Sequence, residues 1–343
     1  MRPRLSAEGW LPSHRHRLES MLEGLATAPG RKVAVFDWDN TMMRGDIGDL
    51  ALAVALAQEP ERALPADSPW LSDEARAHLA SAPVAARASV VAHVAYRGTL
   101  PDGRPAFAPE QTPAYRGTYG FMAQMLCSGR TDDDVRALGR EALARGLRAA
   151  VGERMRVHGI EIEGFARLYA PMVELVAALE AVSVECFVVS ASPQALVEAV
   201  AAEAQIPAAR VLGVRFERDA EGRMTGRFAR CGDEASDAPV MSWKEGKRRW
   251  IRREIFGMAG DAVSSGDAVS SGDVVSLGVV GRPVFGAGDS EGDLPMLDDA
   301  THLRLVLDRE VACLRARALR DPEGWLLQPP FVDPRPAVAF SGG

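Results

Sequence analysis

Apolar positions along the chain follow two rhythms. Three short uninterrupted runs end abruptly in polar residues: Val33 to Phe36 in RKVAVFDWDNT, Cys186 to Val189 in ECFVVSASPQALVEAVAAEA, and the run entered at Pro283 to Phe285 in RPVFGAGDSEGDLPML. A run of this length with no polar alternation predicts a strand covered on both faces, as parallel strands are. Between the runs the apolar period lengthens to that of a helix. Leu196, Val197 and Val200 form one stripe, with Ser192 and Pro193 placed as N-cap and first helical residue. Met172, Leu175, Val176 and Leu179 form another, beginning at Pro171, and Val135, Leu138 and Ala142 a third, after a capping-box start at Thr131 to Asp134. Strands alternating with helices, all with polar residues at the strands' carboxyl ends, predict an α/β fold built on a doubly wound parallel sheet, with ligands along that edge.

The spacing of the runs sets the domain organisation. About 140 residues separate the segment RKVAVFDWDNT from ECFVVSASPQALVEAVAAEA, against the dozen or so that a crossover requires. This predicts an inserted, mainly helical domain at 46–169, on a core made of 31–45 and 170–343, behind an N-terminal arm at 1–30. Prolines 60, 65, 69, 101, 105, 109 and 113 predict irregular segments within the insertion. The six-residue repeat GDAVSSGDAVSSGDVVS, at 260–276, lacks the dense alternating carboxylates of a calcium loop and reads as an expanded surface loop.

Composition narrows the classes. The 343 residues are 47% hydrophobic and 25% charged, ordinary values for a globular protein large enough to bury a sizeable core. A net charge of −7 argues against a nucleic-acid binder, which needs a basic surface. Cys127, Cys186, Cys231 and Cys313 lie far apart with no CxxC pair, so they predict buried thiols and neither a disulfide framework nor a zinc site. No apolar run has the length of a membrane span or of an export signal, and a cytoplasmic protein is the expectation.

The chemistry concentrates at the ends of the three strands. Asp37 and Asp39, one residue apart after the first, can point into one crevice, one as nucleophile and the other as proton donor and acceptor. Carboxylate attack on a phosphoryl group divides one hard displacement into two through an aspartyl-phosphate. So much negative charge calls for cations. Asp289 and Asp293 after the third strand supply oxygen ligands suited to Mg²⁺, and Lys244 or Lys247 in SWKEGKRRW is placed to neutralise the reacting oxygens. Ser190, ending the second strand, is a phosphoryl-oxygen donor.

Taken together, Asp37-Trp38-Asp39-Asn40-Thr41, Ser190, a lysine and Gly288-Asp289…Asp293 resemble the four ordered motifs of haloacid dehalogenase-superfamily phosphatases, spread over positions 37 to 293. The resemblance implies Asp37 as nucleophile, Asp39 as general acid/base and, through its carbonyl, a Mg²⁺ ligand, and Thr41 and Ser190 as phosphate binders. It favours Lys247, in a Gly-Lys pair, as the charge neutraliser, with Asp37, Asp289 and Asp293 completing the metal set. FDWDNTMMRGDIGD, Ser-Ala-Ser-Pro and GDSEGDLPML are similar to the phosphoserine-phosphatase-like branch and, within it, to phosphorylcholine-phosphatase-like proteins. That implies a Mg²⁺-dependent phosphomonoesterase acting on a small phosphorylated metabolite such as phosphocholine or phosphoethanolamine. The hexapeptide repeat departs from the family's pattern.

Several residues carry two readings. Asp46 and Asp49 meet a cationic substrate group, or are N-cap and N3 of the helix IGDLALAVALAQ. Tyr115, Tyr119 and Phe121 form an aromatic cage for a quaternary ammonium, or are core. His14 and His16 in SHRHRLESML read as solvated, and GAGDSEG lacks the third glycine of a dinucleotide loop. Competing functions are a phosphotransferase or mutase using the same intermediate, a dehalogenase, which has no need of a carboxyl at position 39, and a catalytically silent binding protein.

Overall fold

The computed structural model describes residues 4–61, 68, 70–107, 117–231, 240–258 and 281–332. Six parallel strands form the central sheet: β1 (Lys32–Phe36), β2 (Val184–Pro193), β3 (Val211–Val214), β4 (Phe285–Gly288), β5 (Leu303–Leu307) and β6 (Trp325–Gln328), in the order β6-β5-β4-β1-β2-β3. Alternate residues of β1 go to opposite faces. Ala34 and Phe36 join one apolar cluster, with helices α1 (Pro12–Thr27), α7 (Ala170–Ala181) and α8 (Gln194–Ala201), whereas Val33 and Val35 join a second, with α9 (Glu245–Trp250), α10 (Leu294–Asp299) and α11 (Ala312–Arg320). Burial on both faces is why these strands are apolar without interruption. From β1 the chain winds outward to β2 and β3, then returns to β4 on β1's other side. The carboxyl ends of β1 and β4 therefore flank the point where winding reverses, and helices on either side leave a crevice there.

Between β1 and β2 lie helices α2 (Ile47–Gln58), α3 (Asp73–Ser81), α4 (Val84–Arg97), α5 (Gly117–Cys127) and α6 (Asp132–Arg148), followed by the hairpin Arg154–Val157/Ile160–Glu163. The outgoing and returning chains pair antiparallel, Met43 with Leu168 and Arg44 with Arg167. Helix α6 starts on a capping box between Thr131 and Asp134 and packs on α8, so the insertion shares its apolar cluster with the core. Pro171 stands in the first turn of α7, whose buried positions include Met172, Leu175, Val176 and Leu179.

One expected boundary is corrected. Strand β2 runs through Ser190 and Ser192 to Pro193, whose partner is Val214 of β3, so α8 begins at Gln194 with no side-chain cap. Ser192 is not the cap, because its hydroxyl is engaged elsewhere. The four cysteines are free, and no described helix is long and apolar enough to cross a membrane. The repeat at 260–276 lies outside the described residues.

Candidate active site

Asp37 is the first residue beyond β1, and its N–H still donates to Ala287 of β4 at 2.9 Å, which ties the carboxylate to the crevice. The chain then turns sharply. Asn40 lies in the left-handed region at φ 59°, an excursion that asparagine tolerates, and its side-chain oxygen accepts from Gly45 N–H. This turn brings the buried Thr41 hydroxyl back beneath the site, 3.1 Å from Asp37 Oδ2 and 3.4 Å from Asp289 Oδ1.

Lys247 is almost fully buried and places Nζ at 2.6 Å from both Asp37 Oδ1 and Asp293 Oδ1. Burial opposes its charge, but the two carboxylates outweigh burial and hold its pKa above the ordinary lysine value. Lys244 turns the chain into α9 at φ 50°, in the left-handed region, with its N–H bonded to Gly292. Its ammonium lies over Trp243, 4.4 Å from the ring centroid, and faces Glu291 at 3.4 Å, so Lys247 is the lysine at the site. Gly246 permits this: a Cβ there would overlap the carbonyl oxygen of Met241.

Asp293 accepts through Oδ2 from Ser290 N–H, Ser290 Oγ and Asp289 N–H, so both its oxygens are engaged. Asp37, Asp289 and Asp293 bring carboxylate oxygens within 4.8 Å of one another, all buried, a group able to hold a metal ion. Burial, then Asp293, pushes the Asp289 carboxyl up to about 6 against the pull of Arg309, which donates to its Oδ2 at 2.9 Å. Asp37 is raised well above the carboxylate range, first by burial and then by Asp293, with Lys247 opposing.

The Asp39 carboxylate stands apart from this trio. Its Oδ1 accepts from Ile47 N–H, in the first turn of α2, at 2.7 Å, and its Oδ2 accepts from Ser192 Oγ at 2.8 Å. Burial, followed by Asp46 and Asp37, raises its pKa well above the usual range. Ser190 is fully buried beneath, its hydroxyl accepting from Ser192 N–H and its carbonyl from Ser242 Oγ at 2.5 Å.

Above the carboxylates opens a cavity of about 530 Å³. Asp37, Asp39, Ser192, Lys247, Asp289 and Arg309 belong to its core side, and Asp46, Asp49, Tyr96, Tyr119, Arg154 and Glu163 to the inserted side. Asp46 is the N-cap of α2, accepting from Asp49 N–H at 3.0 Å, and it also lines the cavity. Tyr119 lines the cavity. Phe121 does not: two residues further along a helix is about 200° round the axis, and Phe121 is buried instead, with Phe107 as a ring neighbour at 6.4 Å. Tyr115 lies outside the described residues. Tyr96, whose hydroxyl donates to the Asp49 carbonyl at 2.9 Å, is an aromatic wall the sequence reading passed over. Arg309 was missed as well. Its only sequence signal is a place just past an apolar run, β5, beside the strand that carries Asp289.

The comparisons with known proteins agree with this architecture. Residues 106–298, more than half of the chain, match the family model of haloacid dehalogenase-like hydrolases, a span that includes Ser190, Lys247, Asp289 and Asp293. The chain matches no curated protein. The fold is similar to that of a conserved protein of unknown function from Anaerococcus prevotii DSM 20548, with 19% identity, a TM-score of 0.61 and coverage of 95% of this chain and 94% of that one. It is also similar to that of a protein of unknown function from Bordetella pertussis Tohama I, with 19% identity, a TM-score of 0.51 and coverage of 87% and 99%. With the six-stranded parallel sheet and the carboxylates gathered at its reversal point, the match makes this chain a member of the haloacid dehalogenase-like hydrolase family.

Proposed function

We propose that the protein is a Mg²⁺-dependent phosphomonoesterase acting through an aspartyl-phosphate on Asp37, with residues 46–169 as a cap over the core. The observation that carries this reading is the pairing of Asp37, neutralised at one oxygen by Lys247, with a separately held carboxyl, Asp39, at the floor of one cavity. Asp37 forms the new bond to phosphorus while the ester oxygen departs with a proton from Asp39. Water then attacks the phosphoenzyme and returns a proton to Asp39. Thr41 and Ser190 supply hydroxyls beneath the phosphoryl oxygens.

Hard carboxylate oxygens packed this closely fit Mg²⁺. Asp37, Asp289 and the Asp39 carbonyl would hold the ion. Asp293 is the most heavily bonded of the three carboxylates, with three donors at Oδ2 and Lys247 at Oδ1, which suits an orienting role. Bound there, the ion supplies charge neutralisation of the phosphoryl oxygens.

For the leaving group, the inserted side offers acidic and aromatic surface. Burial raises the Asp49 carboxyl well above its ordinary value, and Asp46 and Glu163 raise it further. Beside Tyr96 and Tyr119, this wall favours a cationic amine, as in phosphocholine or phosphoethanolamine. Phosphate release from a panel of phosphomonoesters, with and without Mg²⁺, tests the reading. The amine esters should lead, and Asp37→Asn should lose at least 10³-fold in kcat while retaining its Tm within a few degrees, since the amide keeps the shape but cannot attack phosphorus. Activity of the Asn variant near wild type would end the proposal, whereas sugar phosphates leading the panel would end only the amine preference.

A further inference from the structure

We propose that Ser192 is a positioning residue for proton transfer, holding the proton-carrying oxygen of Asp39 in both of its protonation states; this rests on the phosphatase reading above. Asp39 has two hydrogen-bond partners of different kinds. At Oδ1 the partner is Ile47 N–H, which can only donate, so that oxygen is an acceptor throughout. At Oδ2 it is the Ser192 hydroxyl, 2.8 Å away. A hydroxyl donates to a carboxylate and, after rotating about its C–O bond, accepts from a carboxylic acid. Oδ2 is thus the oxygen whose partner tolerates a proton.

The surroundings keep this hydroxyl where it is. Ser192 N–H donates to Ser190 Oγ, and Pro193 immediately follows, paired with β3. Gly48, in the first turn of α2, presents no side chain to Ser192: a Cβ there would stand 3.4 Å from Oγ. Ser192 is only 9% exposed yet lines the cavity beside Asp39. In the first step the Asp39 Oδ2–H turns from Ser192 Oγ to the bridging ester oxygen and breaks, and its proton passes to that oxygen, which takes the electron pair of the breaking P–O bond as the Asp37 O–P bond forms. The Ser192 hydroxyl turns from acceptor to donor, and Asp39 remains bonded at both oxygens. In the second step the water oxygen bonds to phosphorus as the Asp37 O–P bond breaks and its electron pair returns to the Asp37 carboxylate, a proton from that water passes to Asp39 Oδ2, and the hydroxyl turns back.

Loss of Oγ should therefore matter in proportion to how much the leaving oxygen needs protonation. Phosphoenzyme formation by wild type, Ser192→Ala and Ser192→Thr is measured in single turnovers at saturating Mg²⁺, with p-nitrophenyl phosphate as the activated ester and β-glycerol phosphate as the unactivated one. We expect the alanine variant to lose about 10-fold or more with the alkyl ester, the scale of one hydrogen bond to a charged group, and less than about 3-fold with the aryl ester. Threonine, which keeps the hydroxyl, should restore most of the loss. Equal losses on both esters, no loss on either, or a folded threonine variant behaving like alanine would overturn the role of Ser192 while leaving the phosphatase reading in place. If alanine prevents folding, Ser192→Cys, of similar size but a weak donor, must reproduce the selective loss or the assignment falls. No phosphoenzyme from wild type on either ester would overturn the underlying reading and this inference with it.

Discussion

Lys247 holds the electrostatics of the site together. It is nearly inaccessible and bonded to two carboxylates, so Lys247→Met would leave Asp37 and Asp293 buried without their cation. A pair broken in this way costs about 3–5 kcal/mol, and urea denaturation at pH 7.5 should show a loss on that scale. The loss should shrink as pH falls, because burial raises the Asp37 carboxyl and favours its neutral form. Asp289 makes a second prediction. Its carboxyl rises from 3.8 to about 6 in the fold, so its contribution to stability is fully present below pH 3.8 and is lost as pH climbs through 6. A metal ion must displace that proton, and the rise in Tm caused by millimolar Mg²⁺ should be small at pH 5 and complete above pH 7. Asp289→Asn should flatten both trends; a Mg²⁺-induced rise in Tm that is independent of pH would refute the assignment.

At the scale of elements, the site depends on how β1 and β4 end and how α9 begins. The loop into α9 folds back so tightly that position 246 admits no side chain, since a Cβ would overlap Met241's carbonyl. Gly246→Ala should therefore shift Lys247 away from Asp37 and lower kcat by at least 10²-fold, the scale of misplaced catalytic geometry. Wild-type kcat in a folded variant would show that the loop has slack. The elements also show what the sequence made legible. Uninterrupted runs mark β1 and β4 because both faces of the sheet are covered, and the Thr131–Asp134 capping box marks the start of α6 because its bonds are local. The end of β2 was not legible. Ser-Pro reads locally as a helix start, but pairing of Pro193 with β3 and the bond from Ser192 to Asp39 kept the chain extended. Tyr119 and Phe121 looked alike for the same reason: only the helix and its neighbours decide which ring faces the cavity.

Over the whole molecule, the described chain leaves at Met258 and resumes at Gly281 almost where it left, since a Cβ on Gly281 would stand 2.5 Å from Met258 Sδ. Ends this close accept a shorter connection at small entropic cost. Deleting 261–272, two units of the repeat, should leave kcat and Tm near wild type, and a folded deletion without turnover would show that the repeat serves the site. By itself the sequence determined the fold class and where the carboxylates gather: apolar runs ending in Asp37 and Asp39 and in Asp289 and Asp293. These follow from the chain because strand burial and strand endings are local properties. Tertiary structure decided which lysine reaches Asp37, that Arg309 meets Asp289 and Ser192 meets Asp39, and that Tyr96 faces the cavity. Those pairings join residues 20 to 210 positions apart, and Tyr96, on α4, lines the same cavity as Asp37. Such distances close only when the sheet winds in both directions from β1, and no local pattern records that.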